Sequence, residues 1–174
     1  MKVQRRLLLK GLFTLPLMGL IAGCDSDTPR TSVTLIPKDL SGDDECALCG
    51  MAIVLFPGPK GQVVYHDGRT LKFCSTPDLL SWWLQPENLA TSAAIYVHDM
   101  AGNAWDAPDD TRFIDARGAW FVAGSRLKGA MGATLASFAS QAAADSFAAA
   151  HGGRTLPFVD VTLEVLAEIG SGMG

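Results

Sequence analysis

Apolar and polar positions change period several times after residue 42, and each change marks an element. Residues 61–75, G-Q-V-V-Y-H-D-G-R-T-L-K-F-C-S, alternate on both sides of Asp67-Gly68. Alternation is the strand period and Asp-Gly is a strong two-residue turn, so a β-hairpin is expected, with Cys74 closing its second strand. Helical spacing comes next. Ser75 or Thr76 can cap, Pro77 and Asp78 fall in the first turn, Leu79, Leu80, Trp82, Trp83 and Leu84 form an apolar face, and Pro86 is a stop. Ala93–Met100, A-A-I-Y-V-H-D-M, returns to strand character before the turn-rich A-G-N-A-W-D-A-P-D-D. Ahead of the hairpin, M-A-I-V-L-F is a β-type run ended by P-G-P-K-G.

The same order then recurs. G-A-W-F-V-A-G reads as a strand, L-K-G-A-M-G-A-T-L as a glycine-hinged loop, and Q-A-A-A-D-S-F-A-A-A-H as a helix closed by Gly152-Gly153. F-V-D-V is a further expected strand and T-L-E-V-L-A-E-I a closing helix. Phe73-Cys74-Ser75 answers Phe138-Ala139-Ser140, each just before an amphipathic helix. We therefore expect an α+β fold of two ββαβ-like units in one compact domain. The first half spans 42–104 and carries the thiols; the second spans 105–174.

The N-terminus has a different pattern. Lys2, Arg5, Arg6 and Lys10 precede an apolar run from Gly11 to Ile21 that ends on I-A-G-C. Residues 1–23 read as a secretory signal peptide, too short and too asymmetrically flanked for a lasting membrane span. I-A-G-C resembles a lipobox, with Cys24 as the lipid-bearing mature N-terminus, and Asp25 is of the kind associated with retention at the inner membrane. Arg5-Arg6 with L-L-L-K resembles a twin-arginine export signal; general secretory export stays open. Residues 24–41, with Pro29 and Pro37, are expected to be a flexible tether.

Charge narrows the partners. Removing residues 1–23 takes away four of the 14 bases and none of the 18 acids, so the mature chain carries a net charge of −8. With no basic run left, no nucleic-acid partner is expected. Three cysteines remain beyond Cys24, an odd number in an oxidising compartment, which argues against a pure disulfide framework.

Those cysteines carry the chemistry. C-A-L-C-G-M gathers Cys46, Cys49 and Met51 within six residues. Thiolate and thioether are soft donors, and a thioether favours Cu(I) over zinc. A closed zinc knuckle would use Cys46, Cys49, Cys74 and a fourth group such as His66 or Asp78; an open Cu(I) site would need two or three soft donors from different loops. His98 and Met100, two apart on an expected strand, would share a face and could form a second wall. Met131, between glycines, could close over an ion, whereas His66 and His151 read as solvated or helix-capping. No G-x-S-x-G, H-E-x-x-H or Gly-rich phosphate loop occurs. A thiol-based enzyme using Cys46, Cys49 and Cys74, of the disulfide-redox or organomercurial-lyase type, and a structural zinc domain are the alternatives.

The combination D-E-C-A-L-C-G-M, G-P-K-G-Q, F-C-S-T-P-D-L-L, V-H-D-M, M-G-A-T-L-A-S-F-A and H-G-G resembles the NosL family across most of the mature chain. The resemblance implies a fold of two ββαβ units related to part of organomercurial lyase. It also implies one bound Cu(I), delivered for assembly of the copper sites of nitrous oxide reductase, together with an inner-membrane ABC transporter complex. By the same resemblance Cys49, Met51 and Met100 are the principal expected ligands, with Cys46 and His98 in reserve and the role of Cys74 open. A Cys46–Cys49 disulfide would block uptake, so reduced protein is expected to be the binding form. The resulting expectation is a periplasmic copper chaperone, not an enzyme, anchored to the inner membrane through lipid on Cys24.

Overall fold

The computed structural model describes residues 34–171. The expected signal peptide and Cys24, the expected lipid carrier, lie outside the described residues. After the cysteine loop, strand β1 (Gly61–Tyr65) turns into β2 (Thr70–Phe73). Gly68 takes the left-handed φ that this turn needs, and the Asp67 carboxylate accepts from Arg69 N–H. Helix α1 (Thr76–Trp83) starts directly afterwards, capped by the Ser75 hydroxyl, which accepts from Asp78 N–H.

Pro86 does more than end α1. With its fixed φ and lack of an N–H it starts a second, short helix, α2 (Pro86–Thr91). Strand β3 (Ser92–His98) then pairs with β1, and β4 (Phe113–Asp115) pairs with β3, giving an antiparallel sheet of order β2-β1-β3-β4.

The second half opens with β5 (Trp120–Ala123). The glycine-hinged segment is a small hairpin, β6 (Lys128–Gly129) and β7 (Gly132–Ala133), with Met131 exposed near its tip. Strand β8 (Ala136–Phe138), helix α3 (Gln141–His151) and strand β9 (Arg154–Pro157) come next, and α4 (Leu163–Gly170) closes the fold. The order β8-β5-β9 matches β2-β1-β3: in each half the first strand is central and the helix joins the second strand to the third. Phe73 and Phe138 end the second strands, and Ser75 and Ser140 cap the helices. The fold is α+β, built from two ββαβ arrangements.

Three local expectations are corrected. M-A-I-V-L-F makes only an isolated bridge, Glu45 to Ala52, and then a 3-10 turn at Ile53–Leu55. Pro57 and Pro59 lack the N–H groups a ladder would need. F-V-D-V is likewise a 3-10 turn (Phe158–Asp160), since the strand precedes it and ends on Pro157. The third strand of the first half stops at His98, so the two-residue alternation does not carry through to Met100; Met100 N–H instead donates to Ser137 O on β8.

Part of the expected tether is held against the sheet. Leu40 N–H donates to the Asp110 carboxylate, Lys38 N–H to the Gln62 side chain, and Tyr96 hydroxyl to Leu35 O. The buried amide of Gln62 has the backbone of Lys38 as its partner, which explains why a polar side chain is tolerated inside. One apolar core joins the halves, with Val63, Phe73, Leu79 and Ile95 from the first packed with Phe121, Leu135 and Leu156 from the second. Fully burying each such side chain stabilises the fold by roughly 1.5–3 kcal/mol. The Thr76 hydroxyl reaches across to Leu135 O and ties the start of α1 to the second half.

Candidate metal centre

The chain comes together where β2 passes into α1. Cys74 comes directly after the last residue of β2 and is buried, and Asp78 lies in the first turn of α1. The Cys46–Met51 loop folds over this junction. Cys46 N–H donates to Met51 O, Gly50 N–H to Cys46 O, and Ala47 N–H to Lys72 O on β2. Gly50 adopts a left-handed φ of 72°, which a side chain would strain. The loop is thus closed on itself and fastened to the strand that delivers Cys74.

The outcome is four donor atoms in one place. The Sγ atoms of Cys46, Cys49 and Cys74 and one oxygen of Asp78 all lie within 4.8 Å of one another. Cys49 Sγ is 3.5 Å from Cys74 Sγ, and Asp78 Oδ2 lies 3.1 Å from the Cys74 sulfur and 3.6 Å from the Cys46 sulfur. All three cysteines are free thiols; Cys46 and Cys74 are buried and Cys49 is exposed.

Electrostatics separates the thiols. The Cys46 thiol is pulled down to about 4, chiefly by a hydrogen bond from Cys74, helped by N–H groups of Cys74, Cys49 and Leu48 and opposed by burial. Cys74 moves the other way, because it donates to Cys46 and is buried beside the Asp78 carboxylate. These are two sides of one shared proton: Cys46 is the thiolate and Cys74 the thiol. Cys49 is raised by partial desolvation and by Cys46, against the pull of Met51 N–H. Burial raises Asp78. Lys60, buried just before β1, donates to Phe56 O and Pro57 O and is lowered to about 8 by burial.

Such a cluster offers soft sulfurs and one hard oxygen to a single ion, with entry on the Cys49 side. The NosL family profile matches residues 37–166, nearly the whole described chain. The chain belongs to the NosL family. It is 48% identical over 151 residues to the copper-binding lipoprotein NosL of Stutzerimonas stutzeri, covering 87% of this chain and 78% of that one. To the copper-binding lipoprotein NosL of Achromobacter cycloclastes it is 34% identical over 149 residues, covering 83% and 76%. The crystal structure of the copper chaperone NosL from Shewanella denitrificans superposes with a TM-score of 0.72 at 41% identity, covering 75% of this chain and 98% of that one. The α+β architecture is therefore the NosL architecture, and its relatives are named as copper-binding proteins rather than enzymes.

The residues expected from the NosL resemblance fall in three places. Cys46 and Cys49 stand in the cluster, and Met51, partly exposed, turns its N–H toward Cys49. Met100 lies in the smaller apolar cluster with Val122, Ala136, Phe138 and Ala144. His98 is fully buried, stacked 3.9 Å from Phe113. Its Nδ1 accepts from Lys60 N–H, and its Nε2 is 3.1 Å from Asp110. Burial lowers His98 to about 4 despite that carboxylate, so the pair is a hydrogen bond from neutral imidazole rather than an ion pair. Both ring nitrogens are engaged. Cys74 and Asp78, which the sequence named as ligands only in the zinc alternative, complete the cluster. F-C-S-T-P-D carried the signal, because a serine cap at 75 sets Asp78 in the first turn, four residues from Cys74.

Proposed function

We propose that this chain is a Cu(I) chaperone that takes one ion at the Cys46, Cys49 and Cys74 thiols and gives it up by ligand exchange through Cys49. The observation that carries this reading is the meeting of three sulfurs from two distant segments, two shielded and one open. Cu(I) is satisfied by two or three soft ligands, so an acceptor donor can enter while one thiolate leaves. The names of the NosL relatives support copper as the cargo. The family resemblance supports its monovalent state and a destination in the copper sites of nitrous oxide reductase, reached with an ABC transporter complex. The N-terminal sequence supports a periplasmic chain held at the inner membrane by lipid on Cys24. Met51 beside Cys49 enters the reading as a thioether exchange donor; Met100 would first have to leave its apolar cluster.

Anaerobic Cu(I) titration against a competing chelator tests this. Reduced protein binds one equivalent, and Cys49→Ser weakens binding more than about 100-fold, beyond the usual cost of disturbing an outer-shell partner. Met51→Leu and Met100→Leu measure the two thioethers. Undiminished binding in the cysteine variants would overturn the site. Membrane release of a Cys24→Ser chain tests the anchor, and the copper content of nitrous oxide reductase in cells lacking the chain tests the destination.

A further inference from the structure

Copper leaves one corner of the cluster unused. Asp78 points the same oxygen, Oδ2, at both buried thiols, yet Cu(I) has little use for a hard carboxylate. We propose that Cys46, Cys49, Cys74 and Asp78 together form a closed tetrahedral site for a divalent d10 cation of the zinc class, with Asp78 as the fourth ligand. This site rests on the same cluster as the copper reading and makes Asp78 the residue that tells the two ions apart.

Geometry points the same way. Tetrahedral zinc with Zn–S of about 2.3 Å and Zn–O of about 2.0–2.2 Å requires S···S edges of roughly 3.8 Å and S···O edges of roughly 3.5 Å. The structure has Cys49 to Cys74 at 3.5 Å, Cys46 to Asp78 at 3.6 Å and Cys74 to Asp78 at 3.1 Å, with every remaining edge within 4.8 Å. Shifts of a few tenths of an ångström on these three edges, and of at most about 1 Å on the others, would seat the ion.

The supports are equally local. Gly50 bends the C-x-x-C loop, Ala47 N–H fastens it to β2, and the Ser75 cap fixes the turn that bears Asp78. N–H groups of Leu48, Cys49 and Cys74 already face the Cys46 sulfur, as partners that orient and stabilise a metal thiolate. Three thiolates and a carboxylate around a dication leave a surplus of negative charge, which the attraction between the Cys74 thiolate and the buried Lys60 ammonium partly offsets. On binding, each coordinating thiol passes its proton to solvent and no electron moves. The two ions then have opposite consequences. Zinc occupies all four corners and closes the site, whereas Cu(I) needs only sulfur and stays exchangeable through Cys49.

The test loads reduced, anaerobic protein separately with Co2+, Zn2+ and Cu(I). Co2+ is expected to give the intense d–d and thiolate charge-transfer bands of a tetrahedral site, and Zn2+ to abolish them at one equivalent. Asp78→Asn keeps the shape of the side chain; it should weaken Zn2+ at least about tenfold and change Cu(I) affinity by less than about twofold. Should that variant fail to fold, Asp78→Ala, which copies Ala143 at the matching place in the second half, serves instead. Weak octahedral Co2+ spectra or absent Zn2+ binding, with Cu(I) binding intact, would overturn this inference alone. Equal losses of both metals in Asp78→Asn would overturn it as well. A wild-type protein that binds neither metal would remove the copper reading too.

Discussion

The two halves solve the same packing problem with different residues. In the first, Gly61 stands opposite Phe73 and Val97; in the second, Trp120 stands opposite Phe138 and Pro157. The helices compensate. Counting from the serine caps, Leu79 of α1 corresponds to Ala144 of α3, so small on strand with large on helix becomes large on strand with small on helix. The junction between second strand and helix differs more sharply. Cys74 and Asp78 correspond to Ala139 and Ala143, and a C-x-x-C loop lies over the first junction alone. The scaffold is common to both halves; the donor chemistry belongs to one. A ββαβ unit thus supplies a fixed corner between strand and helix, and function depends on which side chains occupy it.

The largest effect should come from making the first junction resemble the second. Cys74→Ala is expected to lower Cu(I) affinity more than about 100-fold while costing only about 1 kcal/mol of stability, since a single buried sulfur is removed. Chelator competition and a thermal melt on one sample measure both. The converse change should do nothing for metal: Ala139→Cys with Ala143→Asp supplies two donors with no loop above them. Copper binding by that double variant would show that the corner alone suffices.

Legibility in the sequence divides along the same line. The Asp67-Gly68 hairpin, both serine-capped helices and the repeated F-x-S were readable because a few neighbouring residues decide each. M-A-I-V-L-F and F-V-D-V misled because strand propensity says nothing about whether a pairing partner is within reach. Pro86 read as a stop because nothing local distinguishes the end of one helix from the start of the next. At the metal centre, the spacing of Cys46 and Cys49 made that pair visible, while Cys74 and Asp78 were named only as zinc-knuckle candidates, with His66 equally eligible, because their approach depends on tertiary pairing across 25 residues and more. The H-D-M segment was hardest. Its alternation ends at His98, and the chain's path beyond that residue is set by the second half, through Ser137 O to Met100 N–H and the Ser137 hydroxyl to His98 O.

His98 marks a second difference between the halves, since the matching place after β9 is Phe158. A buried imidazole makes the first half acid-sensitive where a phenyl ring would not. The groups facing it are Asp110, Asp109 and Lys60, and burial outweighs the two carboxylates, leaving His98 at about 4 against a free value of 6.5. A histidine lowered by folding is neutral at no cost above 6.5, and below it the unfolded chain takes the proton first. Its stability is therefore complete above pH 6.5 and falls as pH drops toward 4, by about 3 kcal/mol in all. Urea unfolding across that range should show this slope in wild type and not in His98→Gln. Parallel slopes would place the acid sensitivity elsewhere.

The exchange of small and large residues predicts a smaller loss. A Cβ at Gly61 would lie 2.5 Å from Leu79 Cδ2 and 2.8 Å from Leu79 Cβ. Gly61→Ala should thus destabilise by about 2 kcal/mol through overpacking. Leu79→Ala alone should cost about 3 kcal/mol as a cavity, and the double variant clearly less than the sum, because one change fills part of the space the other empties. Strict additivity in denaturant titrations would mean that strand and helix do not compensate in this way.

The serine caps give the finest comparison, because here the halves agree in structure and should differ only in consequence. Ser75 accepts from Asp78 N–H at 3.2 Å and Ser140 from Ala143 N–H at 3.3 Å, so either serine-to-alanine change should cost about 1 kcal/mol. In α1 the N–H that loses its partner belongs to the residue whose carboxylate faces Cys46 and Cys74. Fraying there moves a donor. In α3 it moves only a methyl group. Ser75→Ala is therefore expected to lower metal affinity a few-fold in addition to stability, and Ser140→Ala to leave affinity unchanged at the same stability loss. Matched affinity losses in the two variants would mean that the site responds to global stability, and that the corner at Asp78 is not held by its own cap.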